Sequence, residues 1–318
     1  MTLVEALLLG SIQGVFMFFP VSSTSHLALA QHWLIARGSL IPAPESAAMI
    51  FFDLVVHVGT LLSIALVFRR SLRHFLRYAW RDVRGFIRSN AARQDSGQSS
   101  GIRPDMGSGI QASSESRLNW QAWRRRLEPF LYLRLLLLGL FSVFITGLIG
   151  FPLKNAFEHI FAEPFIMGIN LSITGILLYW TDKIGARPKG LRQLSLQVAL
   201  VIGIAQGLAL MPGLSRSGLT IAFALFVGLR RRWAAEYSFF IAFPTILGAT
   251  LLQALEVWRS GEGIVLSMAS LTVGFVTAAV VGTAALYLVL HLLYRARFRY
   301  FSFYVWGLAL LIWFGVVV

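Results

Sequence analysis

Residues 195–229 read SLQVALVIGIAQGLALMPGLSRSGLTIAFALFVGL, and the break in the middle of this run decides the fold. About 20 apolar residues would make a spanning helix. Here Pro212-Gly213-Leu214-Ser215-Arg216-Ser217-Gly218 interrupts the apolar run. Residues 2–36 repeat the pattern, interrupted by Pro20-Val21-Ser22-Ser23-Thr24-Ser25-His26. Non-helical backbone at membrane depth is tolerated only when it is buried in protein or lines a wet cavity. Both stretches are therefore expected to be re-entrant helix–loop–helix hairpins. Residues 2–18 lack a basic n-region and a small-residue cleavage site, so they are not read as a signal peptide.

The rest of the chain agrees with a membrane setting. Of its 318 residues, 57% are hydrophobic and 13% charged, and the mean hydropathy is +0.70. A soluble domain carries about 25% charged residues. This excludes an ordinary soluble domain, a disordered chain and a disulfide scaffold. With no cysteine, thiol nucleophiles and cysteine metal sites are excluded too. The expectation is an all-α polytopic membrane protein forming one membrane domain over 1–318. Six spanning helices are expected at roughly 48–68, 129–151, 163–181, 237–256, 264–290 and 301–318. A pI near 11.1 invites nucleic acid as a partner, but the apolar spans rule out a soluble nucleic-acid-binding protein.

The net charge of +14 sets the orientation. Arg69 to Arg126 contains 13 arginines and no lysine. Further basic groups are Lys183–Arg192, Arg230–Arg232 and Arg295–Arg299, and together the four hold 23 of the 28 basic residues. With six spans and two hairpins, all four groups fall on one face, which the positive-inside rule makes cytoplasmic. The first hairpin then enters from outside and the second from the cytoplasm. Segment 69–128 is read as a cytoplasmic loop. Its Ser/Gly/Gln-rich part, about 89–119, is expected to be disordered. Its Arg/Trp/Phe/Leu flanks suit amphipathic helices on anionic lipid.

Opposed hairpins imply an inverted repeat, and short similarities support one. Gln13-Gly14 precedes Pro20 as Gln206-Gly207 precedes Pro212, and Ser23 and Ser215 each follow their proline by three residues. Asp53 and Glu236 sit near the start of the next span in each half. Inverted repeats with broken helices meeting at the midplane are a transporter architecture.

The two clusters suit an anion. Arginine at membrane depth marks function by default, and its planar fork fits phosphate. Ser22, Ser23, Thr24, Ser215 and Ser217 add hydroxyls, and Gly213 and Gly218 leave backbone N–H groups open. The second helix of a hairpin presents its N-terminus to a bound anion. His26 beside serines suits a general base or an activator of a nucleophile.

These residues resemble the bacitracin-resistance type of integral-membrane undecaprenyl-diphosphatases. The matching pieces are Gln13-Gly14, Phe18 to Thr24 with His26, and Phe52-Asp53 with His57-Val58-Gly59-Thr60. Pro212 to Gly218 and Ala234-Ala235-Glu236-Tyr237-Ser238-Phe239 complete the set, in family order. The resemblance implies six spans, two opposed hairpins and hydrolysis of undecaprenyl diphosphate at the outer leaflet of the bacterial cytoplasmic membrane. That reaction recycles the lipid carrier for peptidoglycan, with a divalent cation such as Mg²⁺ or Ca²⁺ assisting. It casts Ser23 as nucleophile or nucleophile-positioning hydroxyl, His26 as its acid/base partner and Arg216 as the diphosphate clamp. Gln13, Ser22, Thr24, Gly213, Ser215, Ser217 and Gly218 complete the substrate-binding set.

Two positions depart from the family pattern. Met17 stands where the family has a glutamate, and Ser25 where it usually has glycine. Methionine neither takes a proton nor holds a hard cation, which prefers carboxylate oxygens. Asp53, Glu236 and Glu5 are the nearest replacement carboxylates in sequence. A catalytically impaired relative that binds or translocates polyprenyl phosphates is the alternative to the enzyme. Oligomeric state, a homodimer included, is not legible in the chain.

Overall fold

The computed structural model describes residues 1–98, 130–162, 164–211, 213–261 and 266–315, and the described residues are all-helical. The helices are α1 Leu3–Phe16, α2 Ser23–Ala36, α3 Ala47–Val67, α4 Arg69–Gln98, α5 Leu131–Ala162 and α6 Pro164–Lys183. Then follow α7 Leu196–Leu208, α8 Arg216–Phe226, α9 Arg231–Ser260, α10 Met268–Tyr294 and α11 Arg299–Trp313. Five of them, α3, α5, α6, α9 and α10, are long and apolar enough to cross a membrane, which makes this a multi-pass membrane protein. The sixth expected span, 301–318, corresponds to α11, whose 15 described residues are shorter than those five. Residues 316–318 lie outside the described residues, as does 99–129, most of the segment expected to be disordered. Helix α4 runs ten residues into that segment.

Local chemistry explains where the helices begin. Thr2 and Glu5 form a capping box on α1, with Thr2 N donating to Glu5 Oε2 at 2.6 Å and Glu5 N to Thr2 Oγ1 at 3.3 Å. Ser46, Ser195 and Ser267 accept from the first-turn amides of α3, α7 and α10, satisfying donors a helix leaves open. The arms of the two helix–loop–helix units are short: 14 and 14 residues for α1 and α2, 13 and 11 for α7 and α8. At 1.5 Å per residue each is about 16–21 Å long, less than the ~30 Å of a hydrocarbon core.

The chain forms two compact units, 1–69 with 139–318, and 70–138. In the larger unit, glycines let the hairpins press against long helices. A Cβ on Gly10 would lie 2.6 Å from Gly274 O, and one on Gly14 would lie 2.9 Å from Gly282 N, so α1 and α10 meet backbone to backbone. In the second half, Gly203 and Gly207 of α7 do the same against Ser142, Ile145 and Ile149 of α5. The four-residue glycine spacing is the same in both and lies in the same register to Gln13 and Gln206. Hydroxyls add to this packing: Ser142 Oγ donates to Ala199 O across the α5–α7 seam, and Ser63 Oγ donates to Ala279 O between α3 and α10, both at 2.8 Å. Each hairpin thus packs on a long helix of the other half. Helices α6 and α11 pair as well, with Trp306 Nε1 donating to Ser172 O at 3.2 Å.

In the smaller unit, α4 packs on the first turns of α5. Buried Asp82 accepts from Tyr132 N at 2.8 Å and Leu133 N at 3.4 Å, capping the α5 N-terminus in the polarity a helix dipole favours.

Candidate active site

The two hairpin loops meet across a cavity whose empty space, open mouth included, is about 580 Å³. From the first hairpin come Phe16 to Phe19, Ser22, Ser23 and Thr24; from the second, Leu214 to Ser217 and Thr220. Helix α9 closes one side with Ser238 and Phe239. Ser217 Oγ donates to Phe18 O at 3.3 Å, a direct link between the loops.

The first loop turns sharply after Pro20. Ser22 adopts φ 67°, ψ 92°, a left-handed conformation that costs a non-glycine residue about 1–3 kcal/mol. Three contacts hold it there. Ser22 Oγ meets Ser25 Oγ at 3.1 Å, so the serine at the usual glycine position braces the turn. The Ser22 carbonyl accepts from His26 N at 3.5 Å and from His26 Nδ1 at 2.7 Å. Because a carbonyl only accepts, Nδ1 carries the proton. Nε2 pairs with Tyr304 Oη at 2.8 Å, and the ring stacks on Phe16 with centroids 3.9 Å apart. His26 is buried and is not among the residues walling the cavity.

Helix α2 starts at Ser23 with no side-chain cap, so its first-turn amides are open beside Ser23 and Thr24. Ser23 Oγ lies 3.8 Å from Met17 Sδ, which also accepts from Gln13 Nε2 at 3.6 Å. Gln13 therefore sits behind Met17, fully buried and off the cavity wall. In the second loop, Gly213 takes φ 88°, and a Cβ there would lie 2.7 Å from Met167 O. Thr174 fixes the turn by accepting from Ser215 N at 3.2 Å. Ser215 Oγ accepts from Gly218 N at 3.2 Å as the α8 cap.

Arg216 follows that cap. Its Nε and Nη1 are buried and have no hydrogen-bond partner among the described residues. Among the described residues the cavity wall contains no carboxylate, and Arg216 shares it with the hydroxyl side chains of Ser22, Ser23, Thr24, Ser215 and Ser217. A buried unpaired charge is costly, and an anion with several oxygens relieves it. Ser238 Oγ, on the same wall, is also buried and without a partner among the described residues.

The carboxylates considered as replacements for the missing glutamate lie elsewhere. Glu5 is held by Ser39 at 2.6 Å and by the capping box. Asp53 accepts from Gln31 at 3.1 Å, and His57 Nδ1 pairs with Asp53 O at 2.7 Å. Glu236 is ion-paired with Arg232 at 2.9 Å. No cluster of three or more His, Asp or Glu occurs among the described residues.

The structure thus brings Ser22, Ser23, Thr24, Ser215, Arg216 and Ser217 to one cavity. Gly213 and Gly218 shape its loop, and Gln13 and His26 stand behind the first loop. Sequence reasoning missed Ser238, Thr220 and Tyr304. Ser238 was within reach, since it lies in the stretch Ala234 to Phe239 from which only Glu236 was singled out. Tyr304 carried no signal, being 278 residues from His26.

Fold and cavity together define a polytopic helical membrane protein with a polar cavity between two helix–loop–helix units. The chain belongs to the bacitracin resistance protein BacA family, whose model matches residues 6–311. It is 51% identical over 315 residues to a protein of Halorhodospira halophila named undecaprenyl-diphosphatase, covering 99% of this chain and 98% of that one. A protein of the same name from Alkalilimnicola ehrlichii is 51% identical over 321 residues, covering 100% and 98%. Another, from Desulforapulum autotrophicum, is 33% identical over 313 residues, covering 98% and 97%.

Proposed function

We propose that this chain hydrolyses undecaprenyl diphosphate to undecaprenyl phosphate and inorganic phosphate in the bacterial inner membrane. The reaction returns the carrier lipid to the synthesis of peptidoglycan. The observation that carries the site assignment is Arg216: two buried guanidinium nitrogens without partners, on a cavity wall without a carboxylate. The name borne by relatives at 51% identity describes the same reaction.

In this reading Arg216 binds the diphosphate oxygens, and the open amides at the start of α2 add donors. Ser23 presents its hydroxyl to the terminal phosphorus, as nucleophile or as the group that orients water. Over the whole reaction, water oxygen bonds to the terminal phosphorus and the P–O bond to the bridging oxygen breaks. The bridging oxygen leaves with the lipid phosphate, and the protons of water pass to the products. Ser22, Thr24, Ser217 and Ser238 supply hydroxyls around the departing charge. His26 acts from behind the loop: its Nδ1–H holds the Ser22 carbonyl, and Tyr304 holds Nε2.

The family resemblance implies a divalent cation, and the donor set on the cavity wall does not fit a resident one. Among the described residues hydroxyls, a thioether and a guanidinium face the cavity and no carboxylate does, whereas hard cations take carboxylate oxygens. No step above runs through a metal.

The test is phosphate release by the purified full-length chain from undecaprenyl diphosphate, with and without Mg²⁺ or Ca²⁺. Release of one phosphate per lipid is expected. Tight binding of the lipid without release would overturn the enzyme in favour of a non-catalytic polyprenyl-phosphate carrier.

A further inference from the structure

Helix α4 has two unlike sides. One is packed within its own unit: Ala79 and Asp82 are buried, Tyr132 stacks on Tyr78, and Phe130 meets Phe86 edge-on. The other side carries Arg73, Arg77, Arg81, Arg84 and Arg88, all exposed. Their spacing of three or four residues aligns them in one stripe at 3.6 residues per turn. Alongside runs a line of large apolar side chains at the same helical spacing. Leu76, Trp80 and Ile87 are 57%, 58% and 61% exposed.

Neither line is accounted for by the described residues. The one ion pair given among the described residues is Arg232–Glu236, so no described carboxylate is seen paired with the stripe. Arg81 and Arg84 lie over the rings of Tyr78 and Trp80 at 4.6 and 4.8 Å, leaving the guanidinium edges open. An ordinary solvated face mixes signs of charge and does not expose a tryptophan between an isoleucine and a leucine. The helix also begins at Arg69, one residue after the break at Phe68 that ends the long apolar helix α3. A helix starting there starts at the membrane surface.

We infer that α4 is an interfacial helix that binds an anionic lipid surface. Its arginines engage headgroup phosphates, and Leu76, Trp80 and Ile87 insert at the acyl boundary. The chemistry selects this partner on two grounds. Arginine presents a planar fork to phosphate where lysine presents a point charge, and the stretch from Arg69 to Arg126 uses arginine exclusively. The apolar line beside the cations suits a bilayer, which has charge and hydrocarbon at adjacent depths. A nucleic acid would satisfy the cations and leave the apolar line in water.

The chain has no cysteine, so single cysteines at 76, 80 and 87 can carry a spin label in the otherwise intact protein. The labelled proteins are reconstituted in vesicles of phosphatidylcholine alone and of equal parts phosphatidylcholine and phosphatidylglycerol. Collision with oxygen, which concentrates in hydrocarbon, is compared with collision with a water-soluble nickel chelate. The expected result is a higher oxygen-to-nickel ratio at all three positions in the phosphatidylglycerol vesicles than in phosphatidylcholine alone. Raising the salt should reduce that difference, and joint replacement of Arg73, Arg77, Arg81, Arg84 and Arg88 by glutamine should abolish it. Labels equally open to the nickel chelate in both vesicles, or equally immersed in both, would overturn the proposal. So would shielding that appears only when RNA or a soluble protein is added. If the glutamine variant fails to fold, the lipid comparison with the arginines intact decides alone.

Discussion

Met17 and Tyr304 carry the sharpest consequences at the residue scale. Met17 Sδ lies 3.8 Å from Ser23 Oγ and 3.6 Å from Gln13 Nε2, so a weak acceptor occupies the point where two donors converge. A carboxylate there would accept both hydrogen bonds and the Ser23 proton, and no other carboxylate on the wall would repel it. Met17→Glu should therefore raise phosphate release by about 10²-fold, the scale of general-base help. A wild type slowed by this change would show that another group already does the work. Tyr304 acts one step further back. Tyr304→Phe removes a hydrogen bond worth about 1 kcal/mol net from the ring that holds Ser22. We expect kcat to fall about five- to tenfold with KM unchanged. The ¹⁵N resonances of the His26 ring should move away from a single Nδ1–H tautomer. An unchanged rate together with an unchanged ring spectrum would remove Tyr304 from the positioning of the loop. His26→Asn tests the same arrangement through pH. If His26 positions the loop, kcat falls while the shape of the pH–rate profile stays. Loss of one limb of that profile would instead make His26 the acid or base.

At the scale of elements, the hairpins depend on glycines that admit another helix. Gly10→Leu and Gly203→Leu would drive a side chain into Gly274 and Ser142 backbone, and overpacking of this kind costs about 1–3 kcal/mol or more. A Cβ added at Gly248 on α9 meets nothing within 4 Å, so Gly248→Leu serves as the control. Thermal unfolding in detergent should show lower midpoints for the first two variants and none for the control. Equal midpoints for all three would mean that these seams do not hold the hairpins. The hairpins themselves were legible, because a proline-centred polar cluster inside an apolar run has few other readings. Ser23 and Arg216, both on the cavity wall, could be singled out as candidates for the same reason. The orientation of His26 was not legible: local sequence places it one turn from Ser22, but a distant helix decides which way its ring faces. A span was expected over 301–318 from its apolar length, and the described helix there runs Arg299–Trp313. The carboxylates were misleading as replacements, since closeness in sequence did not bring Glu5, Asp53 or Glu236 to the cavity wall.

Across the whole molecule, the basic groups and the exchange of helices between halves support one arrangement, with the hairpins entering from opposite sides. Single cysteines at Leu40 and Gly185, probed in intact cells with an impermeant thiol reagent, read that arrangement out. Leu40 lies between α2 and α3, and Gly185 lies among the basic residues after α6. Labelling at 40 and protection at 185 is expected, and the reverse would overturn the charge-based topology. The central claim is that both loops bind one diphosphate through Arg216. Its most direct test is the affinity of the purified protein for undecaprenyl diphosphate in wild type, Arg216→Lys and Arg216→Ala. Lysine keeps the charge but lacks the fork, so the account predicts weaker binding for Arg216→Lys and loss of about 10²-fold or more for Arg216→Ala, where a charge-assisted contact and its geometry both go. Wild-type affinity in Arg216→Ala would contradict it.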